Sequence, residues 1–209
     1  ALSMTIRPAR QESVDPACTL LRMAIPKEVR PLTPLGQHGA VRWLRDRLRH
    51  GDDWIRTLYD AACDAPVGAA EWRIVDDALF LNSIAVSPAY RGRGYGAALL
   101  ADGLDLPADR DHVRLDVFAE EERSKAWYRD LGFSPCGSRT WWRMPLNAGP
   151  TSDRDASSWS WVDMADADRQ HARYGFSRVS LRTPTRTYRI GRLGPSLFRL
   201  TSPDALTDS

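Results

Sequence analysis

The stretch "AVSPAYRGRGYGAALL", Ala85 to Leu100, sets Arg91, Gly92, Arg93, Gly94, Tyr95 and Gly96 between an apolar run and a helix-like segment. Glycines at alternate positions remove side chains, so backbone N–H groups can approach a ligand closely and take positive φ where a turn needs it. A helix beginning there presents unpaired N–H groups and the positive end of its dipole. Arg91 and Arg93 add forked, charge-assisted donors suited to phosphate oxygens. A pyrophosphate is the natural occupant of such a loop. The spacing narrows the motif: Gly92, Gly94 and Gly96 fall two and two apart, unlike the dinucleotide-binding G-x-G-x-x-G. No Lys-Ser or Lys-Thr follows to make a Walker loop. On composition alone, an arginine-rich surface turn whose glycines cap a helix stays open beside the phosphate cradle.

Other chemistry is sparse. The four histidines lack metal-ligand spacing, so no metal is expected. Cys18, Cys63 and Cys136 are odd in number and scattered, which suits a reducing compartment rather than a disulfide framework. The chain has 209 residues, 43% of them hydrophobic and 27% charged, so it can bury a core of ordinary size. A net charge of +2 argues for no polyanion partner by itself. Apolar runs fall well short of the roughly 20 residues a membrane span needs, and no signal-peptide pattern opens the chain. A cytoplasmic protein with no membrane partner is expected. Met4 reads as a native start behind three extra residues.

The elements that must position the loop follow from periodicity. Thr5–Ala9 reads as a first strand, and Glu12–Met23 and "HGAVRWLRDRLRHGDD" as helices. Three strand candidates come next, "WIRTLYDAA", "PVGAAEWRIV" and "ALFLNSIAV". Their short connections predict antiparallel pairing. After the loop, residues 97–106 read as a helix, "HVRLDVF" as a strand and "EEERSKAWYRDLG" as a helix closed by Gly132. "SPCGSRTWWRMPL" is expected to form a last hairpin. The order is that of an α+β domain over residues 4–146, with residues 147–158 as a linker and residues 159–209 as a small C-terminal extension. The extension is short for an independent domain and is expected to lean on the first domain or on a second subunit.

With these elements in place, "VSPAYRGRGYGAALL" resembles the acetyl-coenzyme A loop of the GCN5-related N-acetyltransferases, in which Q/R-x-x-G-x-G/A follows a strand ending V-x-P. Arg91, Gly94 and Gly96 fill its places. "AWYRDLGFS" is similar to the family's second landmark, aromatic-Tyr-x-x-Leu-Gly-Phe, and "MTIRPAR" to its first strand. The resemblance covers residues 4–146. It implies a mixed, mostly antiparallel central sheet flanked by helices, followed here by a small α+β extension.

For chemistry the resemblance implies acetyl-CoA as co-substrate and acetyl transfer to a primary amine by direct attack. Ile84, Ala85 and Val86 would pair with the pantetheine arm, and Arg91, Gly92, Arg93, Gly94, Tyr95 and Gly96 would hold the pyrophosphate. Tyr128 matches the tyrosine that protonates the departing thiolate; otherwise it is a core aromatic. Glu71 lies where such enzymes often place a base, and Asp116 lies on the facing strand; either is equally an exposed strand residue. Asn82 and Ser83 stand where a glutamate is also common. Glu121 replaces a frequent asparagine and carries no binding role, while Ser124 is small enough to lie against the cofactor.

The acceptor is a small-molecule or peptide amine. A non-catalytic acyl-CoA-binding module whose extension engages a partner protein is the alternative reading. A nucleic-acid partner is not expected, because no recognisable module accompanies the arginines of the extension. A homodimer is left open. "ARYGFSRVSL" repeats the Gly-Phe-Ser of "AWYRDLGFS", either by coincidence or as a partial copy of the family's C-terminal half.

Overall fold

The computed structural model describes residues 4–51, 54–106, 111–145 and 158–201. Residues up to Leu115, together with those from Trp159 onward, form one compact unit; Asp116–Ser158 form another.

The first unit is built on a five-stranded sheet in chain order: β1 (Met4–Pro8), β2 (Trp54–Asp60), β3 (Gly68–Val75), β4 (Ala78–Val86) and β5 (His112–Leu115). The first four strands pair antiparallel, β2 to β4 as their short connections predict, and β5 joins β4 in parallel. Alternation along β3 decides which helix covers which face. Ala69 belongs to the core beneath α1 (Val14–Met23) and α2 (Ala40–His50), with Leu21, Leu44, Ile55 and Ala85. Gly68 and Trp72 meet α3 (Tyr95–Leu104) on the opposite face, through Leu99 and Gly103. Helix α2 ends at Gly51 with φ 68°. That left-handed position suits glycine, and Arg47, Arg49 and His50 in the last turn oppose the helix dipole.

The extension contributes a second, four-stranded antiparallel sheet: β6 (Ser160–Val162), β7 (Phe176–Arg182), β8 (Thr187–Leu193) and β9 (Leu197–Leu200). Helix α5 (Met164–Tyr174) joins β6 to β7 and buries Ala167 against Val179 and Ile190. This sheet is tied to α2. Gly39 donates its backbone N–H to the Tyr174 carbonyl at 3.1 Å, so the C-terminus of α5 caps the start of α2. A Cβ on Gly39 would meet the Tyr174 backbone at 2.3 Å, which is why that residue carries no side chain. Trp43 meets Phe176 edge to face with ring centres 5.1 Å apart. Asp46 accepts from Arg173, Tyr174 and Arg49.

The second unit holds α4 (Glu122–Asp130), which ends at Gly132 with φ 92°. The hairpin expected from "SPCGSRTWWRMPL" is not there: residues 134–145 carry no strand, and Leu146 and the expected linker through residue 157 lie outside the described residues. A strand persists only with a ladder partner, and Pro135, Gly137 and Pro145 punctuate a run whose Trp142 is 91% exposed. The Gly-Phe-Ser echo has a structural counterpart. Gly132 and Gly175, with φ 92° and 80°, both close a helix immediately before a Phe. Only after Gly175 does a hairpin follow, from β7 into β8.

Candidate functional site

Strand β4 gives the site its frame. Its ladder with β5 runs from Ala78 opposite His112 to Leu81 opposite Leu115 and stops there. On the other side β3 stays paired with β4 out to Val86. Among the described residues, the edge of Asn82–Val86 turned away from β3 therefore has no strand beside it. The β3–β4 ladder shifts register at one point: Glu71 pairs with Ser83 and Trp72 with Leu81, leaving Asn82 as the extra residue of a bulge. Ile84 and Val86 are half-buried and Ala85 is buried.

From Val86 the chain makes one tight helical turn, Pro88–Tyr90, and reaches the glycine loop. Gly92 and Gly94 adopt φ 75° and 79°. A side chain there would be strained although it would meet nothing within 4 Å, so the two glycines serve the backbone path and an open surface. Among the described residues, no side chain caps α3, and the amides of residues 92–97 donate to no backbone carbonyl. Several donors without a backbone partner and a helix dipole thus lie together on one exposed loop, which fits a pyrophosphate. The arginines rest differently. Arg91 donates through Nε to the Val86 carbonyl at 3.0 Å. Arg93 donates to the Ala89 carbonyl at 3.3 Å, with its guanidinium 5.0 Å from the centre of the Tyr90 ring.

Among the described residues the Tyr95 amide has no backbone partner, and its ring turns inward. The ring is buried beneath the loop, and its hydroxyl donates a short hydrogen bond to Asp60, which pushes the phenol pKa up. Tyr90 stacks on it at 6.4 Å and shares a 2.7 Å hydrogen bond with Cys63. Sequence reasoning missed this support, because Asp60 ends β2 and Cys63 follows in the next turn, far from the loop along the chain.

Glu71 is 1% exposed on β3. Arg47 of α2 donates to its Oε1 at 2.5 Å, and Asn82 donates to its Oε2 at 2.8 Å. Arg47 also lies 4.3 Å from the Trp43 ring centre. The carboxylate is therefore a buried link between α2 and the β4 bulge. Arg47 sits in a helix that reads as a solvated arginine face, so its partner was hidden in the sequence.

Tyr128 and Ser124 belong to the second unit, on α4, both half-buried. The Tyr128 ring lies 4.8 Å from Trp127 and 5.6 Å, edge to face, from Phe133. Phe133 donates its amide to the Tyr128 carbonyl at 3.0 Å, so the turn at Gly132 folds Phe133 back onto the helix. Among the described residues nothing hydrogen-bonds the Tyr128 hydroxyl, and burial pushes its pKa up to about 12. The phenol keeps its proton throughout the neutral range. Asp116 and Glu121 also fall in the second unit, outside any strand, while Lys125 pairs with Glu122 in the first turn of α4.

Comparison with known proteins agrees with this geometry. Over 99 residues the chain is 38% identical to a mycothiol acetyltransferase of Kineococcus radiotolerans, a match covering 44% of this chain and 33% of that protein. Over 59 residues it is 41% identical to the N-alpha-acetyltransferase RimI of Mycobacterium tuberculosis, covering 28% of this chain and 37% of the relative. The chain thus spans well under half the length of these curated relatives.

Among solved structures, the aminoglycoside N-acetyltransferase AAC(6')-Iy in complex with CoA superposes with a TM-score of 0.56 at 18% identity, over 69% of this chain and 96% of that one. The PaiA N-acetyltransferase of Thermoplasma acidophilum in complex with coenzyme A gives 0.52 at 16% identity, over 64% and 91%. At those identities the likeness is one of fold. Residues 25–133, over half of the sequence and including both the glycine loop and Tyr128, match the model of the Acetyltransferase (GNAT) family, and the chain belongs to that family.

Proposed function

We propose that this chain is an acetyl-CoA-dependent N-acetyltransferase that transfers an acetyl group to a primary amine by direct attack. The observation that carries the reading is the path from Asn82 to Ala97. There an unpaired strand edge leads through two left-handed glycines into an uncapped helix N-terminus. Acetyl-CoA supplies an activated thioester and a thiol leaving group when bound. The free amides of residues 92–97 would hold its pyrophosphate. The open edge of Ile84–Val86 would pair with its pantetheine arm as sheet edges pair with peptides. A strand N–H would polarise the thioester carbonyl as negative charge develops on it. The Arg91 side chain competes for this edge at the Val86 carbonyl, so binding requires it to swing from that oxygen toward the phosphates.

Tyr128 is proposed as the acid. Its proton is held well above neutral pH, so the hydroxyl can donate to a thiolate whose conjugate acid titrates near ~8.5. Glu71 is proposed in a positioning place, because both of its oxygens already serve Arg47 and Asn82. The amine then loses its proton to water. The related proteins are named as a mycothiol acetyltransferase, an N-alpha-acetyltransferase and an aminoglycoside N-acetyltransferase, so the acceptor is best sought across amine classes. The test is thiol release from acetyl-CoA by the purified chain with a panel of small-molecule and peptide amines. Release that depends on one amine class supports the reading. Coenzyme A binding without release from any amine overturns it in favour of a non-catalytic module.

A further inference from the structure

The two faces of the second sheet are unlike. On one, Val179, Tyr188 and Ile190 are buried, with α5 packed over Val179 and Ile190. Alternation along the strands turns Arg178, Ser180 and Arg182 of β7 to the other face, together with Thr187 and Arg189 of β8. Arg178, Arg182 and Arg189 are all exposed. The register places Arg189 directly opposite Ser180, between Arg178 and Arg182. Measured along the strands, the three side chains therefore leave the backbone at steps of two residues, about 6.6 Å each.

These arginines make no ion pair with a described residue. Among the described residues, no hydrogen-bond acceptor or carboxylate contacts Arg178, Arg182 or Arg189. Several other arginines of this unit are matched: Arg192 with Asp168, Arg173 with Asp46, Arg56 with Asp102, Arg47 with Glu71. Like charges set side by side on a sheet face repel in the free protein, and an anionic partner would relieve that repulsion. A regular row of planar, forked donors fits a ladder of oxyanions, with the Ser180 and Thr187 hydroxyls as further donors on the same face.

We propose that this open arginine face docks the phosphodiester backbone of a nucleic acid. Charge complementarity with a repeating anion is the argument. A protein partner needs a buried apolar or aromatic anchor at the centre of its contact. The exposed aromatics of this sheet, Trp161 and Phe198, pair in register with Leu181 and Arg192 and so lie on the opposite face. Backbone binding to nucleic acid, by contrast, is supplied largely by charge. The face belongs to the second sheet and shares no residue with the glycine loop, and the proposal does not depend on the acetyl-transfer reading.

The experiment is fluorescence anisotropy with the full chain and labelled single-stranded RNA and DNA of mixed sequence, about 20 nucleotides long, with a polyglutamate peptide as a third probe. Three backbone contacts predict that log K falls against log salt with a slope of about −2. Replacing Arg189→Gln should shallow the slope by about 0.7, and the triple variant R178Q/R182Q/R189Q should bind at least tenfold more weakly. The triple variant should melt no lower than the parent, which shows that the loss is not unfolding. The RNA and DNA arms tell which strand the face prefers. No binding at low salt, or a triple variant that binds within tenfold of the parent, overturns the proposal. So does polyglutamate binding as tightly as either nucleic acid, which would make the face a protein-docking surface.

Discussion

At the scale of single residues, two groups separate chemistry from support. Tyr128 is raised to about 12 by burial, so it stays neutral across the pH range in which an acetyl transfer would operate. If it protonates the departing thiol, Tyr128→Phe should lower kcat by about a hundredfold, the lower end of what a positioned acid contributes, with little change in KM for acetyl-CoA. The alkaline limb of the parent's pH–rate profile should not fall at the ~10 of an ordinary tyrosine. Unchanged turnover in the phenylalanine variant would return Tyr128 to a packing role. Glu71 predicts a different pattern. Removing Arg47 by Arg47→Ala strands a buried carboxylate, which costs about 3–5 kcal/mol in comparable pairs and should show as a large drop in Tm. Glu71→Gln can still accept from Asn82 and should retain most turnover. A loss of a hundredfold or more in kcat with the fold intact would instead make Glu71 the base.

At the scale of elements, the packing of α3 on β3 rests on one missing side chain. A Cβ on Gly103 would come within 2.0 Å of the Trp72 ring, which is fully buried. Alanine is the better helix former by about 1 kcal/mol, so an exposed Gly→Ala change in a helix would stabilise. At Gly103 the clash should win, with Gly103→Ala destabilising by about 1–3 kcal/mol. Thermal unfolding checks it; a Tm equal to or above the parent's would mean that Trp72 can move aside. The sequence made these elements readable to unequal degrees. Strands β2, β3 and β4 were legible because polar turns bound them, and α3 because the loop announced its start. Pairwise contacts were not legible: Asp60 under Tyr95 and Arg47 on Glu71 join residues distant along the chain, and no local pattern marks them. The Ser134–Pro145 run misled because alternation alone predicts a strand, whereas a strand also needs a neighbour to pair with. The arginines of β7 and β8 were visible as a charge-rich tail, but only the register shows that three share one face.

At the scale of the whole molecule, the extension behaves as part of the first unit rather than as an appendage, and Asp46 is where the dependence can be titrated. The Tyr174 hydroxyl, then the Arg173 guanidinium, hold the Asp46 carboxyl below the usual carboxylate range against the opposing pull of burial. Both partners come from α5, while Asp46 belongs to α2. A carboxylate depressed in the folded state stabilises fully above its unfolded pKa, near ~3.9, and that contribution disappears as pH falls through the lower folded value. Asp46→Asn leaves Arg173 and Arg49 without a charged partner. It should therefore cost about 1–2 kcal/mol at pH 7, a few degrees in Tm for a chain of this size. The gap between parent and variant should then close as pH is lowered from about 4, because the parent loses what the variant never had. Thermal melts of both proteins between pH 7 and pH 3 measure that gap directly. A difference that stays constant to pH 3 would show that the extension is held by the Trp43–Phe176 contact and the Gly39–Tyr174 backbone bond, without help from this charge cluster.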